Sequence, residues 1–191
     1  MRSTGSAKVA IGTALVALIA AVSAMPTVAQ STTLELFRSL DLAQYGPDEK
    51  PPPFVASTVN GHRLFLTSLR GRVVILTFWA TWCQPCRDEM NAFERLHRDF
   101  SRDGLAIVGI NTREEAGPII EYARTLDLTF SLVVDSPGKV QKVYGVVGLP
   151  TTFLIARDGR AVARAIGSRD WSGDAARTLI RMLLGEAARR R

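Results

Sequence analysis

Cys83 and Cys86 are the only two cysteines in the 191-residue chain, and the pattern on either side of them limits what it can fold into. Before them runs Val73-Val74-Ile75-Leu76-Thr77-Phe78-Trp79, an uncharged, β-branched and aromatic stretch of strand length. After them, Met90, Phe93, Leu96 and Phe100 recur at helical spacing. The pair therefore falls at a strand-to-helix junction, with Cys83 at the helix start and Cys86 one turn in. Unpaired backbone N–H groups and the positive end of the helix dipole favour thiolate over thiol at such a place. Pro85 suits the first turn, where no intrahelical hydrogen bond is lost.

The length suits one domain plus a targeting segment, and a composition 47% hydrophobic and 22% charged is ordinary for a packed core. The net charge of +6 includes Arg2 and Lys8 near the start. The remaining arginines are scattered over several predicted helices and turns. No basic stripe with interleaved aromatics is present, so a nucleic-acid role is excluded. Arg189-Arg190-Arg191 reads as a charged helix end. Two cysteines cannot build a structural disulfide framework, and in an exported protein a lone C-x-x-C pair is a working redox couple.

Residues 1–29 have the layout of an export segment. Arg2 and Lys8 stand without acids, residues 9–24 are uncharged, and small residues follow at Val22-Ser23-Ala24 and Thr27-Val28-Ala29, two candidate cleavage sites. The alternative is an uncleaved N-terminal membrane anchor. The apolar run is shorter than the roughly 20 residues a spanning helix needs, and Pro26 interrupts its extension to Val28. Either way the rest of the chain lies outside the cytoplasm, periplasmic or extracytoplasmic, secreted or held at the inner membrane. Membrane contact is then confined to residues 9–28, and only if they are retained. Residues 30–50 read as a linker. Leu34, Leu36, Phe37, Leu40 and Leu42 fit a short amphipathic helix, and a partly ordered segment fits equally; Pro51-Pro52-Pro53 stiffens the entry to the domain over 51–187.

Within the domain, residues 54–57 and 62–66 flank Asn60-Gly61, a two-residue hairpin signal. Strand 73–79 and helix 84–102 follow. Leu105 to Ile110 is a continuous apolar run, as in a strand covered on both faces. A helix is predicted over 115–126, a strand over 129–134 and a brief helix over 137–144. Gly148-Leu149-Pro150-Thr151 then puts a proline directly before a buried strand, where it cannot donate to a ladder. Asp158-Gly159 turns the chain into strand 161–166, and a helix over 173–186 closes it. The implied fold is α/β, a central mixed β-sheet flanked by helices.

Taken together, these residues resemble a family. Phe78-Trp79-Ala80-Thr81-Trp82-Cys83-Gln84-Pro85-Cys86-Arg87-Asp88-Glu89 is similar to the active-site segment of thioredoxin-fold proteins. It is nearest the TlpA/ResA-like exported thiol–disulfide oxidoreductases of the AhpC/TSA-redoxin superfamily. Residues 59–62 with 69–74 resemble that branch's N-terminal β-hairpin, residues 115–134 its central helix–strand insertion, and residues 148–151 its cis-proline turn. Cytoplasmic thioredoxins carry a buried Asp where this chain has Thr77, which suits the exported branch. Asn91 stands where many members have proline, which removes a basis for a helix kink there and leaves the chemistry untouched.

The resemblance implies roles. Cys83 is the attacking thiolate and Cys86 the resolving thiol, so the redox-active disulfide is the only redox group and no cofactor or metal is needed. Glu89, one turn beyond Cys86, relays the proton that Cys86 loses, and its charge raises thiol pKa values; a solvated helix carboxylate is the plain alternative. Pro150 is cis beside the dithiol, Leu149 offers its backbone to an extended partner, and Trp82 is a partly exposed lid. Phe78 and Trp79 are core. The partners are disulfide-bearing proteins, with a membrane thiol carrier as electron donor. Two substrate classes follow, apocytochrome c with C-x-x-C-H and the cysteines of an oxidase copper site.

Other readings compete. The same fold run in reverse is a dithiol oxidase. A peroxiredoxin requires P-x-x-x-[TS]-x-x-C, and Leu76 and Ala80 occupy those positions. A non-catalytic copper or thiol chaperone would use C-x-x-x-C with a downstream His, and none follows His97. Zinc is disfavoured because the histidines are His62 and His97 alone, and haem attachment fails because Arg87 follows Cys86.

Overall fold

The computed structural model describes residues 28–186. The expected export segment lies outside them, apart from Val28 and Ala29, which open the first helix. Among the described residues no helix is long and apolar enough to cross a membrane.

In chain order the elements are α1 (Val28–Ser39), β1 (Ala43–Gln44), β2 (Val55–Thr58), β3 (Arg63–Phe65), a 3-10 turn (Leu66–Leu69), β4 (Val73–Trp79) and α2 (Gln84–Phe100). Then follow β5 (Leu105–Thr112), α3 (Ala116–Thr125), β6 (Ser131–Asp135), α4 (Lys139–Val143), β7 (Thr151–Ile155), β8 (Ala161–Ile166) and α5 (Asp174–Glu186). The strands form one mixed sheet in the order β1-β8-β7-β4-β5-β6-β2-β3. β4 is central, parallel to β5 and antiparallel to β7. This is the thioredoxin-like arrangement, with an added N-terminal hairpin and with α3 and β6 inserted after β5.

Period-2 alternation builds two cores from one strand. Val73, Ile75 and Trp79 of β4 face a layer that holds Phe93, Leu96, Ile119, Leu179 and Ile180. Val74, Leu76 and Phe78 face the other, with Tyr144, Phe153 and Phe54. All seven residues of β4 are buried, which explains its lack of any charged residue. On α2, Cys86, Glu89, Met90, Phe93, Leu96 and Phe100 share the buried face. That stripe pins the helix over the end of β4.

Two sequence expectations change. Residues 30–50 do not form a free linker: Phe37, Leu40 and Leu42 lie in the same core cluster as Cys83 and Cys86. α1 packs on α5, and β1 pairs with β8 through Ala43 and Gln44. α1 ends where Leu42 N–H donates to Phe37 O at 2.8 Å and Asp41 N–H to Arg38 O at 3.0 Å, with Asp41 left-handed at φ 47°. This Schellman-type end turns Leu42 back onto Phe37 and into the core. The folded body therefore begins well before residue 51. The hairpin also differs from a two-residue turn. Val59 N–H donates to Leu132 O of β6 at 2.9 Å, which holds Val59 against the sheet. The chain reverses one residue later, with Gly61 at φ 79° and Thr58 N–H donating to His62 O at 2.8 Å.

Candidate active site

Cys83 is the N-cap of α2, and its sulfur accepts a 3.3 Å hydrogen bond from the Cys86 N–H. The two are joined by a disulfide. They are not equivalent: Cys83 keeps 6% of its surface exposed, whereas Cys86 has none. Cys83 is thus the sulfur nearer to solvent and Cys86 the one enclosed by the core. Thr81, in the loop before it, is held by Glu114 beyond β5. The Thr81 N–H donates to Glu114 Oε2 at 2.7 Å, the Thr81 hydroxyl bonds Oε1, and Asn111 Nδ2 donates to Oε2 at 2.8 Å. No sequence signal points to Glu114, which stands 33 residues from Thr81.

Behind the dithiol sits Glu89, 3% exposed. Three or four residues along a helix put side chains on one face, so its carboxyl lies on the Cys86 side of α2. Three donors from the loop between β8 and α5 converge on Glu89 Oε1: Arg169 N–H at 2.6 Å, Trp171 Nε1 at 3.0 Å and Ser168 Oγ at 3.1 Å. Oε2 is buried without a partner. Burial pushes the Glu89 pKa up to about 7, against the pull of those three donors and of the Arg169 charge. A solvated helix carboxylate is therefore not what the fold makes of this residue. Ser168, Arg169 and Trp171 carry no sequence signal for the site; tertiary folding alone brings them to it.

Thr77, fully buried, accepts a 2.9 Å hydrogen bond from the hydroxyl of Thr152 on β7. The Thr77 position on β4 is thus polar yet uncharged. By register, Phe78 faces Thr151, so Pro150 arrives beside the C-terminal end of β4. The Leu149–Pro150 peptide is cis, and Pro150 O accepts from Gly167 N–H at 2.8 Å. Pro150 is buried and Leu149 half-buried. Trp82 is 68% exposed, whereas Trp79 and Phe78 are fully buried. His97 stacks edge-on against Phe130, at 6.3 Å between ring centres, far along α2 from the cysteines. Among the described residues no group of three or more His, Cys, Asp or Glu is arranged to hold a metal ion.

A buried cysteine paired with a more accessible one at a helix start, on a thioredoxin-like sheet, defines a thiol–disulfide oxidoreductase with a C-x-x-C redox pair. Residues 47–164 match the AhpC/TSA family model, and the chain belongs to that family. It is 32% identical over 121 residues to the thiol-disulfide oxidoreductase ResA of Bacillus thuringiensis, covering 63% of this chain and 70% of the relative. It is 39% identical over 109 residues to ResA of Geobacillus thermodenitrificans, covering 57% and 63%. A crystal structure of a proposed thiol:disulfide interchange protein DsbE from Chlorobium tepidum superposes with a TM-score of 0.67 at 30% identity, over 72% of this chain and 97% of that one.

Proposed function

We propose that this oxidoreductase works outside the cytoplasm as a reductase of disulfides in partner proteins. The observation that carries the direction is the buried Glu89 carboxyl on the Cys86 face of α2. A carboxylate in that position disfavours a neighbouring thiolate. A dithiol whose reduced form is not stabilised holds its electrons weakly and gives them up readily, the opposite of a strong oxidant.

In this reading the Cys83 thiolate attacks a partner disulfide, one partner sulfur leaves as thiolate, and a mixed disulfide forms. Cys86 passes its proton to the ionised Glu89 and attacks the Cys83 sulfur. The internal disulfide closes and the second partner sulfur leaves, so two electrons have passed to the partner. A membrane thiol carrier returns two electrons, and the proton held on Glu89 goes back to Cys86 as the disulfide opens. Trp82, Leu149 and Pro150 form the partner-facing wall: the exposed indole covers the dithiol flank, and the Leu149 backbone pairs with an extended segment. Cysteines of apocytochrome c or of an oxidase copper site are the substrate classes, on family resemblance. Residues 9–28, as signal or anchor, supply the location.

The reduction potential of the Cys83–Cys86 pair tests the direction. A value near the thioredoxin end, roughly −270 mV, supports the reductase, and one near −120 mV makes the protein an oxidase.

A further inference from the structure

The loop between β8 and α5 joins three parts of the molecule within five residues. Gly167 N–H bonds Pro150 O, and Ser168, Arg169 and Trp171 bond Glu89. The Arg169 side chain turns the other way, to Asp41 at the end of α1. Its Nη2 donates to Asp41 Oδ2 at 2.6 Å and to Asp41 O at 3.1 Å, and its Nε donates to Asp41 O at 3.2 Å. Nη1 donates to Ser168 O at 2.8 Å, within the loop itself. One residue therefore holds the buried carboxyl with its backbone and the N-terminal segment with its guanidinium.

The ion pair is not there for its own strength. The Asp41 side chain is 88% exposed, and such pairs contribute little to stability. The Arg169 side chain is only 17% exposed, and its four hydrogen bonds fix its direction. Asp41 also occupies a left-handed helix-end position that glycine fills at no steric cost.

We propose that Arg169 and Asp41 are a positioning pair, through which docking of residues 28–44 sets the orientation of Glu89 behind the dithiol. The inference rests on the reading of Glu89 given above. It makes the segment that follows the export sequence a working part of the active site, not a spacer. The charged and titratable groups around Glu89 are few. Arg169 supplies the charge that acts on it, Asp41 lies beyond that guanidinium, and Cys86 shares its helix face. Asp170 is turned to Ser172 and Gly173.

The test uses the full chain and reads the pH titration of the cysteine thiols by alkylation rate. Asp41→Gly keeps the helix end and removes the carboxylate; Arg169→Met removes the guanidinium and keeps the backbone N–H. Each is expected to move the titration in the direction that Glu89→Gln moves it, by about half a unit or threefold in rate at fixed pH. In a Glu89→Gln background the same substitutions are expected to have no further effect. An unmoved titration in both single variants overturns the proposal, as does an equal shift with and without Glu89. If Glu89→Gln itself leaves the titration unchanged, the proton-relay reading falls, and the pairing falls with it. If only the pairing is wrong, Glu89→Gln still shifts the titration.

Discussion

Trp171 Nε1 donates to Glu89 Oε1 across 82 residues of sequence, at 3.0 Å and with both side chains buried. This bond ties the helix that begins at the dithiol to the loop that closes the sheet. Trp171 also packs on Phe93 of the same helix, with ring centres 5.5 Å apart. In Trp171→Phe the packing survives and the donor is lost. Fewer donors on the carboxylate raise the Glu89 pKa further above its ordinary range. NMR titration of the Glu89 carboxyl should show the rise, together with about 1 kcal/mol less stability from the missing hydrogen bond.

Glu89 should also govern how stability varies with pH. Its folded pKa, about 7, lies above the ordinary 4.5. The folded state therefore binds the proton more tightly than the unfolded chain. Its favourable contribution is complete below pH 4.5 and fades as pH rises through 7. The difference is on the order of 3 kcal/mol. Urea denaturation between pH 4 and 8 should show this loss in the wild-type oxidised protein and a flatter profile in Glu89→Gln. Parallel profiles would remove the buried acid from the account.

The unequal burial of the two sulfurs gives an asymmetric outcome on substitution. Cys86→Ser should accumulate mixed disulfides through Cys83, because the resolving thiol is gone. Cys83→Ser should accumulate few, since Cys86 has no exposed surface. Non-reducing electrophoresis after reaction with a disulfide-bearing protein reads both. Equal trapping by the two variants would contradict the assignment of roles.

Glu114 should matter to the motif loop although it lies outside the motif. Glu114→Ala leaves the Thr81 N–H and the Asn111 amide without their acceptor. A loss of about 1–3 kcal/mol follows for donors left unpaired in a half-buried site. Hydrogen exchange should quicken at Thr81 before it does at the central residues of β4.

Leu42 tests whether the N-terminal segment belongs to the core. It is 7% exposed and packed in the cluster that contains both cysteines. Leu42→Ala should cost about 2–3 kcal/mol in a single cooperative transition, within the range for buried leucines. A surface linker would give an effect near zero.

The local devices were legible in the sequence because they depend on near neighbours. The apolar run of β4, the cap at Cys83, Pro85 in the first turn and the stripe on α2 follow from chain geometry alone. The alternation of β with α, and resemblance around Trp82–Cys86 and Pro150, carried the fold. What the sequence could not show lies in pairings across long separations. The register that sets Thr77 against Thr152, the clamp of Glu114 on Thr81 and the meeting of Asp41 with Arg169 have no periodic signature. The same holds for Glu89. Its place one turn after Cys86 was written in the sequence; its burial, and with it the raised pKa, arose only when the loop between β8 and α5 closed over it and removed the water that would have kept it an ordinary carboxylate.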